Sequence, residues 1–229
     1  MLASPSACSS SSSPRVSLSP RQTEVQKALR RAVAHAFTSL DVNRRKWAKH
    51  SDVGRHALTA CANALTQLAY ADGPHWGALE ECTEMQRLVA MRALQRVRSQ
   101  QAEIDAALES LDETLGGLRN ACSTLRERVE ALGADLACSM PLFDGCSESA
   151  VQFMAHAEAL VASFERELTL RRTVAAQLRH TALDEQTAAL YLSAWVLQPY
   201  VDTDHLELLL AAVAAEADPQ NAIRSPRSR

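Results

Sequence analysis

From Ala90 to Leu132, apolar residues recur in alternating steps of three and four. The positions are Ala90, Leu94, Val97, Gln101, Ile104, Leu108, Leu111, Leu115, Leu118, Cys122, Leu125, Val129 and Leu132, and twelve of the thirteen are apolar. A stripe sustained over six heptads demands one long helix whose seam is covered by other helices, so this stretch reads as a coiled coil or a long bundle helix. Gln101 is the polar exception; buried in a seam, such a residue lowers stability but fixes register. Gly116 and Gly117 lie inside the pattern. Each glycine costs about 1 kcal/mol relative to alanine in a helix, which marks a weak point or a close helix approach.

Helical signals continue on both sides. Ser19-Pro20-Arg21-Gln22 is a helix start: serine caps, proline suits the first position, and Gln22 closes a capping box. Val25, Leu29, Val33, Ala36 and Leu40, then Trp47, Leu58, Cys61, Leu65 and Leu68, carry an apolar face, with a break or kink expected near Asp41–Asn43 or Gly54. Asp72-Gly73-Pro74 predicts a turn. After a connection from Gly133 to Gly145, a third long helix should begin near Ser147, with Phe153, Ala157, Leu160, Phe164 and Leu168 on one face. Thr181-x-x-Asp184 predicts a capping box for a fourth helix, which Pro199 stops near Leu197. Asp202 or Thr203 caps a last short helix that ends before Asp218-Pro219. No segment alternates as a strand would. The expectation is an all-α, elongated helical bundle with coiled-coil character, three long helices plus two short C-terminal helices, over residues 20–217. Residues 1–19 are serine-rich and acid-free and read as a disordered tail, a composition that also fits an organelle transit peptide. Residues 218–229 read as a disordered basic tail.

Composition narrows the function classes. The net charge is −3, without the basic stripe of a nucleic-acid-coating protein, so no direct nucleic-acid contact is expected. No apolar run reaches the roughly 20 residues a membrane span needs, and no membrane role is expected. The six cysteines form no CxxC pair, which suits free thiols in a reducing compartment. There is no HExxH, no Walker A loop, no GxGxxG and no GxSxG elbow. No acid, base and nucleophile can be assembled, so no enzymatic role, catalytic residue, metal or cofactor is expected.

What remains is surface for protein contact. Arg166, Arg171, Arg172 and Arg179 make the third long helix basic toward its C-terminus. Two readings stand. Either the arginines complement the macrodipole and pair at i,i+4, as Glu167 with Arg171, or they form a basic ridge for an acidic partner. The segment Tyr191–Val201, YLSAWVLQPYV, gathers three of the chain's ten aromatic residues. Leu192, Trp195 and Pro199 read as packing and turn residues. Tyr191 and Tyr200 read as contact residues, since an apolar ring with a hydroxyl serves interfaces. Candidate partner-binding residues are therefore Arg171, Arg172, Tyr191, Trp195, Gln198, Pro199 and Tyr200.

FERELTLRRTVAAQLRHT (164–181) followed by YLSAWVLQPYV resembles the C-terminal region of the cyclin-dependent kinase 2-interacting protein family. Glu167, Leu168, Leu170, Arg172, Thr173, Val174, Ala175, Leu178, His180 and Thr181 match its basic helix. Tyr191, Leu192, Ser193, Trp195, Gln198, Pro199, Tyr200 and Val201 match its aromatic motif. Pro141-Leu142-Phe143 matches upstream, and Lys46-Trp47, Asp52, Gly54 and Ala62-Asn63 fit a second motif without gaps. The resemblance covers about a third of the chain; the middle agrees only in helical character. It implies a nuclear non-enzymatic adaptor, with a cytoplasmic pool as a second location, in cell-cycle, DNA-replication and checkpoint control. It also implies a component of an AAA+ ATPase complex linked to ribosome maturation, paired there with a related small helical subunit. Cyclin-dependent kinase and replication factors are the other implied partners. A structural coiled-coil tether, such as a spindle or kinetochore subunit, is the alternative that long heptads allow.

Overall fold

The computed structural model describes residues 19–71, 76–132, 141–143, 148–180 and 185–217. The expected tails, the Asp72-Gly73-Pro74 turn and the Thr181-x-x-Asp184 box lie outside the described residues. The described residues form five α-helices and a short 3-10 turn, Gly77–Leu79. They are α1 (Pro20–Ala71), α2 (Thr83–Leu132), α3 (Ala150–His180), α4 (Glu185–Leu197) and α5 (Thr203–Ala217). The described residues contain no strand. The expected all-α bundle of three long and two short helices is the observed architecture.

The helix starts follow the caps. The Ser19 amide donates to Gln22 Oε1 at 2.9 Å and the Gln22 amide donates back to Ser19 Oγ at 3.3 Å, a reciprocal box. Helix α3 begins at Ala150, slightly later than expected, because Ser149 and Gln152 form the same box (2.7 and 3.4 Å). Asp202 Oδ1 accepts from the His205 amide at 3.0 Å and caps α5.

The expected break in α1 does not occur; the helix runs unbroken for 52 residues, about 78 Å at 1.5 Å per residue. Asp41 pairs with Arg44 one turn on at 2.9 Å, and Asn43 Nδ2 donates back to the Ser39 carbonyl at 2.9 Å. Both contacts keep the helical path. Gly54 interrupts nothing, because it sits beneath a side chain from α4.

Helices α1 and α2 form an antiparallel hairpin. Arg96 reaches Gln67 near the loop end, at 3.3 Å, and Gly117 meets the Asn43 side chain farther down, where an added β-carbon would lie 2.4 Å from Asn43 Oδ1. Of the two expectations for the glycine pair, the close approach is the observed one, at Gly117. The α2 seam buries Val97, Ile104, Leu108, Leu111, Leu115, Leu118, Cys122, Leu125 and Val129.

Helix α3 lies antiparallel to α2 and is registered by a ladder of ion pairs. Arg126 meets Glu158 at 2.7 Å, Arg119 meets Glu165 at 2.8 Å, Asp112 meets Arg172 at 3.2 Å, and Asp105 meets Arg179. Each rung is seven residues from the next on both helices. The sign reverses halfway: α2 contributes two arginines then two aspartates, α3 two glutamates then two arginines. A slip of two heptads would set like charges against each other. The pairs are about half exposed and each is worth about 0.2–1 kcal/mol; their main effect is choice of register. Phe37, Phe143 and Phe153 close the far end, edge to face at 5.6 and 5.3 Å.

Candidate protein-interaction site at the turn between α4 and α5

The apolar face of α3 also follows steps of four and three: Phe153, Ala157, Leu160, Phe164, Glu167, Arg171, Val174 and Leu178. Two charged residues therefore occupy seam positions, and both are fully buried. A buried charge needs a partner for every polar atom. Arg171 finds them on three helices. Its Nε donates to Glu167 Oε1 at 2.8 Å, one Nη donates to Ser51 Oγ of α1 at 2.8 Å, and the other donates to the Trp195 carbonyl of α4 at 3.2 Å. That carbonyl lies in the last turn of α4, where the helix has no donor of its own and a cation is favoured. The guanidinium also lies 4.7 Å from the Trp195 ring centroid and 5.4 Å from that of Trp47. Burial pulls the Arg171 pKa below its ordinary value, and the Glu167 hydrogen bond opposes that shift.

Trp195 is held from both ends. Its indole N–H donates to the Ser51 carbonyl at 2.9 Å, and its ring occupies the space where Gly54 lacks a side chain. Trp47 packs edge to face on Phe164 at 4.8 Å and donates its indole N–H to Gln198 Oε1 at 3.2 Å. Gln198 has φ of +46°, a left-handed conformation that costs a non-glycine residue about 1–2 kcal/mol. The Trp47 bond holds it there. Pro199 follows, suited by its fixed φ to a turn that the Val201 amide closes on the Gln198 carbonyl at 2.9 Å. The second Glu167 oxygen accepts from the Tyr200 amide at 3.5 Å. The buried pair thus sets the chain direction between α4 and α5.

The expected contact residues separate on this frame. Arg171 and Trp195 are buried within the chain, so neither presents a surface to a partner in this structure. Of the four arginines of the expected basic ridge, Arg171 is withdrawn into the core, Arg172 pairs with Asp112 and Arg179 with Asp105 on half-exposed surface, and Arg166 stays exposed over the Tyr200 ring. The reading of Glu167 with Arg171 as an i,i+4 pair is the one observed. Tyr191 is partly buried against the core and Gln198 is half-buried. Pro199 and Tyr200 are exposed. The Tyr200 ring lies under Arg166, 5.8 Å from its guanidinium, and borders a shallow groove with Ala162, Thr169, Leu170 and Thr173. Leu190, Val196 and Leu197 are exposed on the same short helix. The site is therefore an apolar turn displayed on a buried, fully bonded clamp.

Sequence reading missed Ser51 and the burial of the charged pair. The signal was present: charges at two consecutive seam positions of a heptad are improbable unless they satisfy each other. Among the described residues, no cluster of three or more His, Cys, Asp or Glu is placed to hold a metal ion, and no helix is long and apolar enough to cross a membrane.

The clamp joins residues of both motifs that the sequence singled out: Trp47 and Gly54 from one, Trp195 and Gln198 from the other. Curated relatives point the same way. The chain is similar to cyclin-dependent kinase 2-interacting proteins. The human one is 31% identical over 123 residues, 47% of this chain and 56% of the relative. That of Xenopus laevis is 35% identical over 57 residues, 25% of this chain and 27% of the relative. The mouse protein is 23% identical over 171 residues, 69% of this chain and 76% of the relative. The aligned part of this chain spans about half the length of the human relative. No family model matches the chain.

Proposed function

We propose that this chain is a non-enzymatic helical adaptor of the cyclin-dependent kinase 2-interacting protein family, acting through protein contacts. The observation that carries the reading is the clamp. Two segments about 140 residues apart in sequence, each resembling that family, close on one buried cluster whose outward product is the Leu197–Tyr200 turn. Its buried charged and indole groups are hydrogen-bonded within the clamp, which suits display of a surface. On this reading the chain is nuclear, with a cytoplasmic pool. It serves cell-cycle, replication and checkpoint control, and it pairs with a related small helical subunit on an AAA+ ATPase assembly linked to ribosome maturation.

Affinity purification of the tagged chain with mass spectrometry tests this. Recovery of an AAA+ ATPase and a small helical subunit, both lost with Tyr200→Ala, is expected. Retention of the same partners by that variant would remove the turn from the interface, and recovery of neither would remove the assembly. A coiled-coil tether is the second reading, favoured by the roughly 75 Å length of the α1–α2 hairpin. It predicts partners at both hairpin ends and none at the turn.

A further inference from the structure

The heptad class of α2 that faces α3 loses its cover on the way to the hairpin loop. Leu115 is 1% exposed, Leu108 is 8% exposed, and Leu94 is 39% exposed, with Gln101 between them partly buried. The reason is length: α3 ends at His180, just past its last rung, Arg179 on Asp105. Beyond that level α2 still packs on α1 through Ala93 and Val97, which are buried. Its other face carries a bare stripe of Glu84, Leu88, Met91, Leu94 and Arg98, all exposed. Leu88 and Met91 are 54% and 59% exposed. No ion pair of Glu84 or Arg98 occurs among the described residues.

The stripe is symmetric about Met91. Leu88 and Leu94 lie three residues to either side, and Glu84 and Arg98 lie seven to either side with opposite charge. An antiparallel second copy with its two-fold axis through Met91 sets Met91 on the partner's Met91, Leu88 on the partner's Leu94, and Glu84 on the partner's Arg98. By symmetry the leucine and charge pairs each form twice, as an isologous interface requires. A mate of different sequence would have to reproduce this acid-to-base reversal; a second copy carries it already. The overlap of 15 residues, about 21 Å, stops short of Asp105, so the partner's α3 lies clear of it. Each α2 brings its own α1 behind it, and the two hairpin ends form a four-helix bundle.

We propose that the chain self-associates through this stripe, as an antiparallel two-fold dimer of hairpin ends. The inference rests on the α2 seam alone and does not depend on the adaptor reading or on the turn at Tyr200.

Sedimentation equilibrium of the full chain over about 1–100 µM tests it, a range that brackets the modest affinity of a short helical contact. A concentration-dependent dimer is expected. Glu84→Arg and Arg98→Glu should each weaken it about tenfold or more, since one substitution sets two like-charged pairs across the axis. The double variant E84R/R98E should recover the wild-type affinity, because the swap restores both pairs. Both positions are exposed, and unchanged circular dichroism will verify folding. A chain that is monomeric throughout overturns the proposal, as does a dimer indifferent to the single reversals or one the double variant fails to restore. Binding of a foreign helix across the stripe by an otherwise monomeric chain also overturns it and assigns the face to a different protein.

Discussion

The ring of Trp195 fills the space above Gly54: a β-carbon on that glycine would lie 2.4 Å from the Trp195 ζ2 carbon. No real β-carbon tolerates that distance, and the obstruction is a rigid indole fixed by its hydrogen bond to the Ser51 carbonyl. Glycine at 54 is therefore required by contact, in the middle of a helix that would otherwise favour alanine.

Gly54→Ala should lower stability by about 1–3 kcal/mol, the range for overpacking a filled site, despite the roughly 1 kcal/mol that alanine contributes to helix propensity. Gly116→Ala is the control. Nothing lies within 4 Å of the atom it would add, so the same change there should raise stability by about 0.5–1 kcal/mol. Urea unfolding of both variants followed by circular dichroism reads the difference, and equal effects would contradict the packing account.

Arg171→Met should destabilise the chain by about 3–5 kcal/mol, because Glu167 is left charged and unpaired in the core. Adding Glu167→Met should recover much of that loss, since apolar residues of similar volume remove the uncompensated charge. A double variant less stable than the single would mean that the Ser51, Trp195 and Tyr200 bonds outweigh the pair itself.

Tyr200→Ala should shift the melting temperature by no more than about 2 °C, since a surface change is usually worth about 0.5 kcal/mol or less and 1 kcal/mol moves a chain of this size by about 2–4 °C; the ring is exposed and touches Arg166. Tyr191→Ala, which removes a ring packed against the core, should lower the melting temperature measurably. Differential scanning calorimetry separates them, and the opposite order would reverse the roles given to the two tyrosines.

Burial raises the thiol pKa of Cys61, and burial with the Glu158 charge raises that of Cys122. The folded chain then holds these protons at a pH where the unfolded chain releases them. Above the unfolded thiol value of about 8.5, stability should fall as pH rises; below it, the thiols contribute no slope. Replacing both with alanine should flatten the decline above about pH 8.5. In the native chain at neutral pH, exposed Cys82 should react with a thiol reagent well before buried Cys61 and Cys122.

Much of this was legible in the sequence because it is local. Heptad spacing on α2, the Ser19–Gln22 box and the stop at Pro199 depend on neighbours within a few residues, and the helices form where those signals place them. Helix continuity at Asp41–Asn43 was misread, since composition suggested a break while side-chain pairs one turn apart held the helix. The arginines of α3 stayed open between two readings for another reason. Arg171 and Arg172 are adjacent and chemically identical in the sequence, yet one is in the core and the other on the ladder to α2. Helical phase separates them by about 100°, and only the position of the other helices gives that phase a meaning.

The sequence by itself determined an all-α chain with long seams, the helix starts at Ser19 and Asp202, and an aromatic cluster closed by a proline. The tertiary structure decided which face of each helix is inside. It brought Trp47 and Ser51 to Arg171 and Trp195 across more than a hundred residues, and it left one heptad class of α2 uncovered where α3 runs out. Seams are periodic and so readable along the chain, whereas partners in a seam are chosen by length, register and the need to neutralise buried charge, which are properties of the assembled helices.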